Sequence, residues 1–293
     1  MTTPSSSVRP VLDPAQLAFV TDSIRRVAGE VVLPRFGQLA AGDIEEKSPG
    51  DLVTIADRDA ERALAELLTR LLPGSVVVGE EAVAADPAVL QALHGGAPVW
   101  IIDPIDGTEA FVTGSPRFAT LVALAQRGEL LASWTYAPLL ELTATAVAGQ
   151  GAYLNGRPLT VARPAAGLRG LDVALPQPRW WAEPDRERFN ALFLTGVSPA
   201  FFDTSGLVYV ELAAGRRSAM VVNWELPWDH AAGLLLHAEA GGHARTAEGK
   251  PFNLAGGNAM PVAVAPDALT ASLLLAGCSA QAAQPLEHRP DLG

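Results

Sequence analysis

In Trp100-Ile101-Ile102-Asp103-Pro104-Ile105-Asp106-Gly107-Thr108 an apolar strand runs into an acid, a proline turns the chain, and a second acid follows ahead of a glycine and a hydroxyl. Carboxylates that leave a strand end in this way converge on one point, and hard oxygen ligands suit Mg²⁺ or Mn²⁺. Gly107 and Thr108 can aim backbone N–H groups at an anion if a helix begins there. The same residues also allow a plain loop, in which Asp103 caps one turn and Asp106-Gly107 makes another.

Working outward, further acids sit at the ends of predicted elements. Ser75-Val76-Val77-Val78-Gly79 reads as a strand followed at once by Glu80-Glu81, Asp51 and Asp57 bracket Leu52-Val53-Thr54, and Trp228-Asp229 opens an alanine-rich helix. Singly each has a plainer reading: Asp229 as a helix N-cap, Glu80 as a solvated loop charge, Lys47 as a surface lysine. Their joint occurrence favours a site.

The rest of the chain frames that site. Asp13-Pro14-Ala15-Gln16 carries the start signals of a helix, and Leu17, Val20, Ile24, Val27 and Val31 follow at helical spacing. Ala60, Ala63, Leu64, Leu67, Leu68 and Leu71 make a second apolar stripe that Pro73-Gly74 ends. Residues 118–137 predict two strands around the turn Arg127-Gly128-Glu129, and residues 141–148 and 151–159 extend the meander through Asn155-Gly156. Beyond it a strand over 171–175 precedes helical stretches near 185–193, 206–214 and 229–240. Helices, then a meander, then alternating strand and helix imply a layered α+β sandwich with two lobes. Residues 1–12 are expected to be a disordered tail, 13–150 an N-terminal α+β lobe with the metal-binding motifs, and 151–293 a C-terminal α/β lobe completing the site.

Composition narrows the function. The chain has 293 residues, 49% hydrophobic and 18% charged, which is globular composition. With 21 basic and 32 acidic residues its formal charge is −11, which speaks against a general nucleic-acid or anionic-membrane surface. Mean hydropathy is +0.21, yet the apolar stretch 260–277 carries Asp267 and two prolines, so no membrane span is expected. The N-terminus lacks the basic start and hydrophobic stretch of a signal peptide, which implies a cytoplasmic setting. Cys278 is the only cysteine, so an intrachain disulfide and a thiolate metal cluster are both excluded. His230 and His237, seven apart, would share a helix face as a zinc pair could, but no third ligand is suggested and oxygen ligands abound elsewhere, so His230, His237 and His243 are expected to be structural.

Taken in order, Lys47 with Asp51-Leu52-Val53-Thr54, Gly79-Glu80-Glu81, Trp100 to Thr108, Gly151-Ala152-Tyr153-Leu154-Asn155-Gly156 and Trp228-Asp229-His230-Ala231-Ala232-Gly233 resemble the inositol monophosphatase family over nearly the whole chain. The resemblance implies an αβαβα sandwich and a Mg²⁺-dependent, lithium-sensitive phosphomonoesterase with two or three ions, often a homodimer, with Mn²⁺ as a possible substitute. It implies that Glu80, Asp103 and the Ile105 carbonyl hold one ion, that Asp103, Asp106 and Asp229 hold a second, and that Glu80 also helps a weaker third. Asp51 and the Thr108 hydroxyl, with Glu80, would activate the attacking water, while Lys47, Asp106 and the Gly107 and Thr108 amides would border the phosphate. Relatives act on inositol phosphates, fructose 1,6-bisphosphate, histidinol phosphate or 3′-phosphoadenosine nucleotides. A catalytically weak, phosphate-sensing homologue is the alternative.

A chain of formal charge −11 must draw a phosphate by something other than its own charge, and metal ions would supply both that attraction and the chemistry. Rate gains for phosphate monoesters approach ~10²¹, whereas acid–base help supplies about 10²–10⁴. The chain departs from the family pattern in two places. Ala110, beside Glu109, stands where relatives usually have Asn or Ser, and a gapless count from Asp229 puts Val222 where inositol-selective relatives have a sugar-binding glutamate. Asn223 and Glu225 lie beside it as substitutes. Trp180, Trp181, Phe189, Phe193, Phe201 and Phe202 crowd residues 176–203, which suits an apolar or planar leaving group better than a fully hydroxylated ring.

Overall fold

The computed structural model describes residues 12–48, 50–163 and 166–279. Helix α1 (Pro14–Val27) starts from a reciprocal cap: Gln16 N donates to Asp13 Oδ1 at 2.8 Å, and Asp13 N to Gln16 Oε1 at 2.9 Å. A hairpin of β1 (Ile44–Ser48) and β2 (Asp51–Thr54) then leads into α2 (Ile55–Leu71), whose N-cap is Thr54. Strand β3 (Val76–Gly79) passes directly into the short α3 (Glu80–Ala85), and β4 (Pro98–Asp106) into the short α4 (Thr108–Val112).

Next come the meander strands β5 (Ala119–Gln126), β6 (Glu129–Ala137), β7 (Leu142–Val147), β8 (Gly151–Leu154) and β9 (Arg157–Pro158). The turns read from the sequence are present, with Arg127, Gly128, Asn155 and Gly156 all at positive φ. The second half runs β10 (Asp172–Pro176), α5 (Glu183–Leu194), β11 (Ser198–Phe202), α6 (Ser205–Ala213), β12 (Ala219–Val222), α7 (Pro227–Glu239), β13 (His243–Thr246), β14 (Val262–Ala265) and α8 (Ala268–Gly277).

Two sheets order the layers. The first has seven strands in sequence order from β3 to β9; β3 and β4 are parallel and the rest antiparallel. The second has the order β11-β10-β12-β14-β13. Alternation along β4 explains the stacking: Trp100 and Ile102 pack on α1 and α2, while Val99 and Ile101 face α6 and α7. On the far side of α6 and α7, Val208 and Tyr209 meet Ala174, Met220 and Val222 of the second sheet. The outer face of that sheet is covered by α5 and α8 through Phe189, Leu192 and Leu274. The result is the expected αβαβα sandwich.

Several expectations are corrected. Leu12 is buried against α1 and belongs to the core, and residues 1–11 of the expected tail lie outside the described residues. A lobe boundary at 150/151 would cut the first sheet, which continues through β8 and β9; the chain crosses between sheets only after Pro158. Most of the aromatic run packs on itself: Trp181 stands 4.8 Å from Phe189 and 5.9 Å from Phe201 between ring centroids. No helix among the described residues is long and apolar enough to cross a membrane.

Candidate active site

The acids at the end of β4 meet because the strand is irregular there. Asp103 pairs with Leu121 and Asp106 with Ala119, so three steps on β4 match two on β5. In a regular strand, residues three apart point to opposite faces; one extra residue turns both carboxylates to the same side. Pro104 sits in this bulge, where no N–H is needed, and its carbonyl accepts from Thr120 Oγ1 at 2.9 Å. The face they share is that of Ile101, toward α7, which brings Asp229.

Carboxylate oxygens of Asp103, Asp106 and Asp229 all lie within 4.8 Å of one another. Asp103 and Asp106 are only 2% and 6% exposed. Burial, then the like charges of Glu80, Asp106 and Asp229, pushes the Asp103 carboxyl well above the carboxylate range. Asp229 is raised in the same way, by burial and then by Asp106 and Glu80. Asp106 is pushed up to about 7 by burial, although it accepts from Ser205 N at 3.1 Å and Gly206 N at 2.6 Å. Asp103 Oδ1 is buried without any hydrogen-bond partner. An orphaned oxygen among three crowded carboxylates is the donor set that a divalent cation satisfies, so these residues fit a metal ion.

Glu80 borders the same cavity, of ≈ 640 Å³. Lys47 Nζ donates to Glu80 Oε1 at 2.5 Å and to Glu81 Oε1 at 3.0 Å. Burial opposes the ammonium charge, but the two glutamates outweigh it and hold Lys47 above its ordinary value. The turn that presents Glu80 is set by Glu61, which accepts from the Glu81 and Ala82 amides at 2.8 and 2.9 Å. Gly79 makes this close approach possible, since a Cβ there would lie 2.2 Å from the Glu61 carboxyl carbon.

Beside the acids, Gly107 turns the chain at φ +90°, and a Cβ would meet Thr204 Oγ1 at 2.7 Å. Thr108 Oγ1 then lies 3.0 Å from the Ile105 carbonyl and 3.3 Å from Asp57 Oδ1. The acid beside Thr108 is thus Asp57, where the sequence reading chose Asp51, whose side chain lies outside the described residues. Asp57 is a buried helix-start residue that also accepts from Thr54 N at 2.8 Å and Thr54 Oγ1 at 2.5 Å, and burial pushes it up to about 7. Thr54-Ile55-Ala56-Asp57 forms a capping box, a signal in the sequence that would have pointed to Asp57.

The other substrate-side expectations divide. Asn223 lines the cavity and donates from Nδ2 to Asp185 Oδ2 at 2.8 Å. Glu225 is turned away, accepting from Asn258 N at 2.7 Å and Asn258 Nδ2 at 2.9 Å, and it is not among the lining residues. Val222 is wholly buried in the second sheet's core. Of the aromatic run only Trp180 and Phe202 reach the cavity, joined by Trp224 and Trp228, which the reading had not assigned there.

Trp224 also holds the floor, donating from Nε1 to Asp229 Oδ2 at 2.6 Å. Its carbonyl lies 3.0 Å from His230 Nε2, and His230 Nδ1 lies 3.0 Å from the Tyr209 hydroxyl. A carbonyl only accepts, so Nε2 carries the proton and Nδ1 accepts from Tyr209. Burial drops His230 to about 4, keeping it neutral. His237, near 4 for the same reason, meets the Ala265 carbonyl at 2.9 Å, so both histidines are structural.

Fold and site together define a layered α+β protein with an acidic, phosphatase-like cavity floor. Residues 13–281 match the model of the Inositol monophosphatase family, and the chain belongs to that family, whose membership implies a phosphatase. It is 35% identical over 234 residues to the inositol-1-monophosphatase of Rhizobium meliloti (strain 1021), across 76% of this chain and 82% of that one. It is 30% identical over 235 residues to the fructose-1,6-bisphosphatase/inositol-1-monophosphatase of Aquifex aeolicus (strain VF5), covering 77% and 83%. Among solved structures it resembles the extragenic suppressor protein suhB of Bartonella henselae, with TM-score 0.73, 25% identity and coverage of 88% and 98%.

Proposed function

We propose that the protein is a Mg²⁺-dependent phosphomonoesterase acting on a small-molecule phosphate. The observation that carries this reading is the orphaned Asp103 Oδ1 among three converging carboxylates, with the Thr108–Asp57 pair alongside. Glu80, Asp103, Asp106, Asp229 and the Ile105 carbonyl would hold the metal. When bound, Mg²⁺ would neutralise phosphoryl charge, lower the pKa of water and steady the leaving alkoxide.

The chain's own residues do the rest. Thr108 Oγ1 can donate to Asp57 Oδ1 while a lone pair accepts from a water; as the water's proton passes to Thr108 Oγ1, the Thr108 proton passes to Asp57 Oδ1, a carboxyl that burial raises to about 7. The amides of Gly107 and Thr108 would grip the phosphate, which Lys47 keeps in register by fixing Glu80. The joint presence of Asp57, Glu80, Asp103, Asp106, Thr108 and Asp229 favours catalysis over phosphate sensing. A cytoplasmic homodimer remains the setting expected from the family.

Phosphate release from glycerol 2-phosphate, with and without Mg²⁺, tests the reading. Release that requires Mg²⁺ is expected and should be inhibited by Li⁺; release unchanged by a chelator would overturn it.

A further inference from the structure

Glu61 is a buried acid that the proposed chemistry does not use. It lies on α2, 6% exposed, and no cation pairs with it among the described residues. Burial, with the like charges of Glu81 and Glu80, acts against its ionised form, and the amides of Glu81 and Ala82 act for it, one on each carboxylate oxygen at 2.8 and 2.9 Å. These amides belong to the second and third residues of α3, which has only six, and its N-cap Gly79 has no side chain to give them an acceptor. A helix this short does not hold itself in water. Glu61 therefore supplies, from a neighbouring helix, the cap that α3 lacks.

The first residue of α3 is Glu80, so this cap fixes where the floor glutamate begins. Glu61 is itself fixed from the other side. Asp57 and Glu61 stand four apart on α2 and so share one face, Asp57 turned to Thr108 and Glu61 to the start of α3. One turn of α2, about 6 Å along its axis, thus spans from the Thr108–Asp57 pair to the amides that carry Glu80. Gly79 leaves room for the carboxylate, because a Cβ there would collide with it.

We propose that Glu61 is a positioning residue for the metal: by capping α3 it holds Glu80 at the floor and sets how tightly that floor takes Mg²⁺. This rests on the reading of Glu80 as a metal ligand, and it adds a determinant of metal affinity outside the ligand set. Glu61→Gln is the most informative variant, since it keeps the size and shape of the side chain but turns one acceptor into an NH₂ that faces an amide N–H.

Mg²⁺ binding to the full chain, read by calorimetry, tests this through a double-mutant cycle with Glu80. Glu61→Gln is expected to weaken Mg²⁺ binding about tenfold, while kcat at saturating Mg²⁺ stays within about threefold of the parent. Glu80→Gln should weaken binding at least as much, and adding Glu61→Gln to it should weaken binding less than about twofold further, since the cap then positions nothing that binds. Gly79→Ala breaks the same contact from the other side and should match Glu61→Gln. The binding stoichiometry reports the folded fraction, so partial unfolding does not pass for weak binding. A loss under about threefold in both Glu61→Gln and Gly79→Ala overturns this inference alone. So does a loss of about tenfold repeated on the Glu80→Gln background, because a missing charge or a loosened fold acts whether or not Glu80 is present. Mg²⁺ affinity unchanged in Glu80→Gln overturns the reading of Glu80 as a ligand as well.

Discussion

Six carboxylates line one cavity, four at its floor and two at its wall, and they live under opposite conditions. Asp103, Asp106 and Asp229 crowd together with raised pKa values, and Asp103 keeps an oxygen that nothing satisfies. Glu109 and Asp203 are about half exposed, with side-chain exposures of 45% and 43%, and share Arg179. Asp103 and Asp106 are set by one bulged strand and Asp106 accepts from two backbone amides, while Glu80 and Asp229 join them from α3 and α7, so the floor is a buried cluster that is incomplete without a cation. The wall is held by solvated ion pairs, each of modest worth, so it can adjust to what enters. Chemistry is assigned to the first and selection to the second.

The comparison breaks most readily at the floor. Asp103→Asn is expected to leave no Mg²⁺-dependent turnover above about a hundredth of the parent, since it removes one charge from the centre of the donor set. Phosphate release at more than about a tenth of the parent rate, with metal still bound by calorimetry, would show that Asp103 is dispensable. The next effect is smaller: Asp57→Asn or Thr108→Ala should lower kcat by about 10²–10⁴ with Mg²⁺ affinity retained. An equal fall in Mg²⁺ affinity would place these two residues in the floor itself.

Legibility followed the same divide. The floor could be read because its acids sit at the ends of strongly patterned elements, and a strand, a proline and a helix start mark two of them within residues 99–108. What failed was the choice between Asp51 and Asp57, two acids flanking one short strand, because only the turn into α2 decides which side chain reaches Thr108. The wall was less legible. Arg179, Glu109 and Asp203 come from three separate segments, and no local pattern announces an ion triad that forms only when the sheets stack. The aromatic run misled because composition cannot tell a ring packed into the core, such as Trp181, from one at a cavity, such as Trp180. Strands β11, β12, β13 and β14 escaped for a related reason: at four or five residues each they carry little pattern of their own and are defined by partners elsewhere in the chain.

The floor's raised acids also set the sign of a pH effect on stability. In the metal-free protein Asp57 and Asp106 stand near 7 against 3.8 in an ordinary setting, and Glu61 near 7 against 4.5. The folded state therefore binds protons more tightly than the unfolded state between about pH 4 and 7, and stability falls as pH rises through that window. With a chelator present, the melting temperature at pH 8 should lie about 5 °C or more below that at pH 5. Mg²⁺ should restore more at pH 8 than at pH 5, because metal and protons compete for the same oxygens. A melting temperature that climbs from pH 5 to 8 without metal would contradict the burial of these charges. Trp224 joins the two regions, and Trp224→Phe deletes the donor to Asp229 while keeping a smaller aromatic ring between Phe202 and His230. About a tenfold loss of Mg²⁺ affinity is expected, read by calorimetry, and an unchanged affinity would mean that Asp229 needs no help to face the metal.

The smallest effect is expected at the wall. Arg179 is half exposed, and its partners Glu109 and Asp203 are as accessible to water, so its ion pairs are screened and each contributes about 0–1 kcal/mol. Deleting the side chain also removes the cation over Trp180, an interaction of about 0.5–1 kcal/mol at an exposed site. In the proposed function the phosphate is gripped at Gly107 and Thr108 and these contacts would border the alcohol half, so Arg179→Ala should act on substrate binding before chemistry. A three- to tenfold rise in KM is expected, roughly 0.7–1.4 kcal/mol, with a lesser change in kcat. Raising the ionic strength should move the parent protein in the same direction and the variant less, since the variant lacks the exposed ion pairs of Arg179 that salt screens. A kcat loss comparable to that of Thr108→Ala would tie the wall to the proton-transfer step and erase the distinction between the two regions.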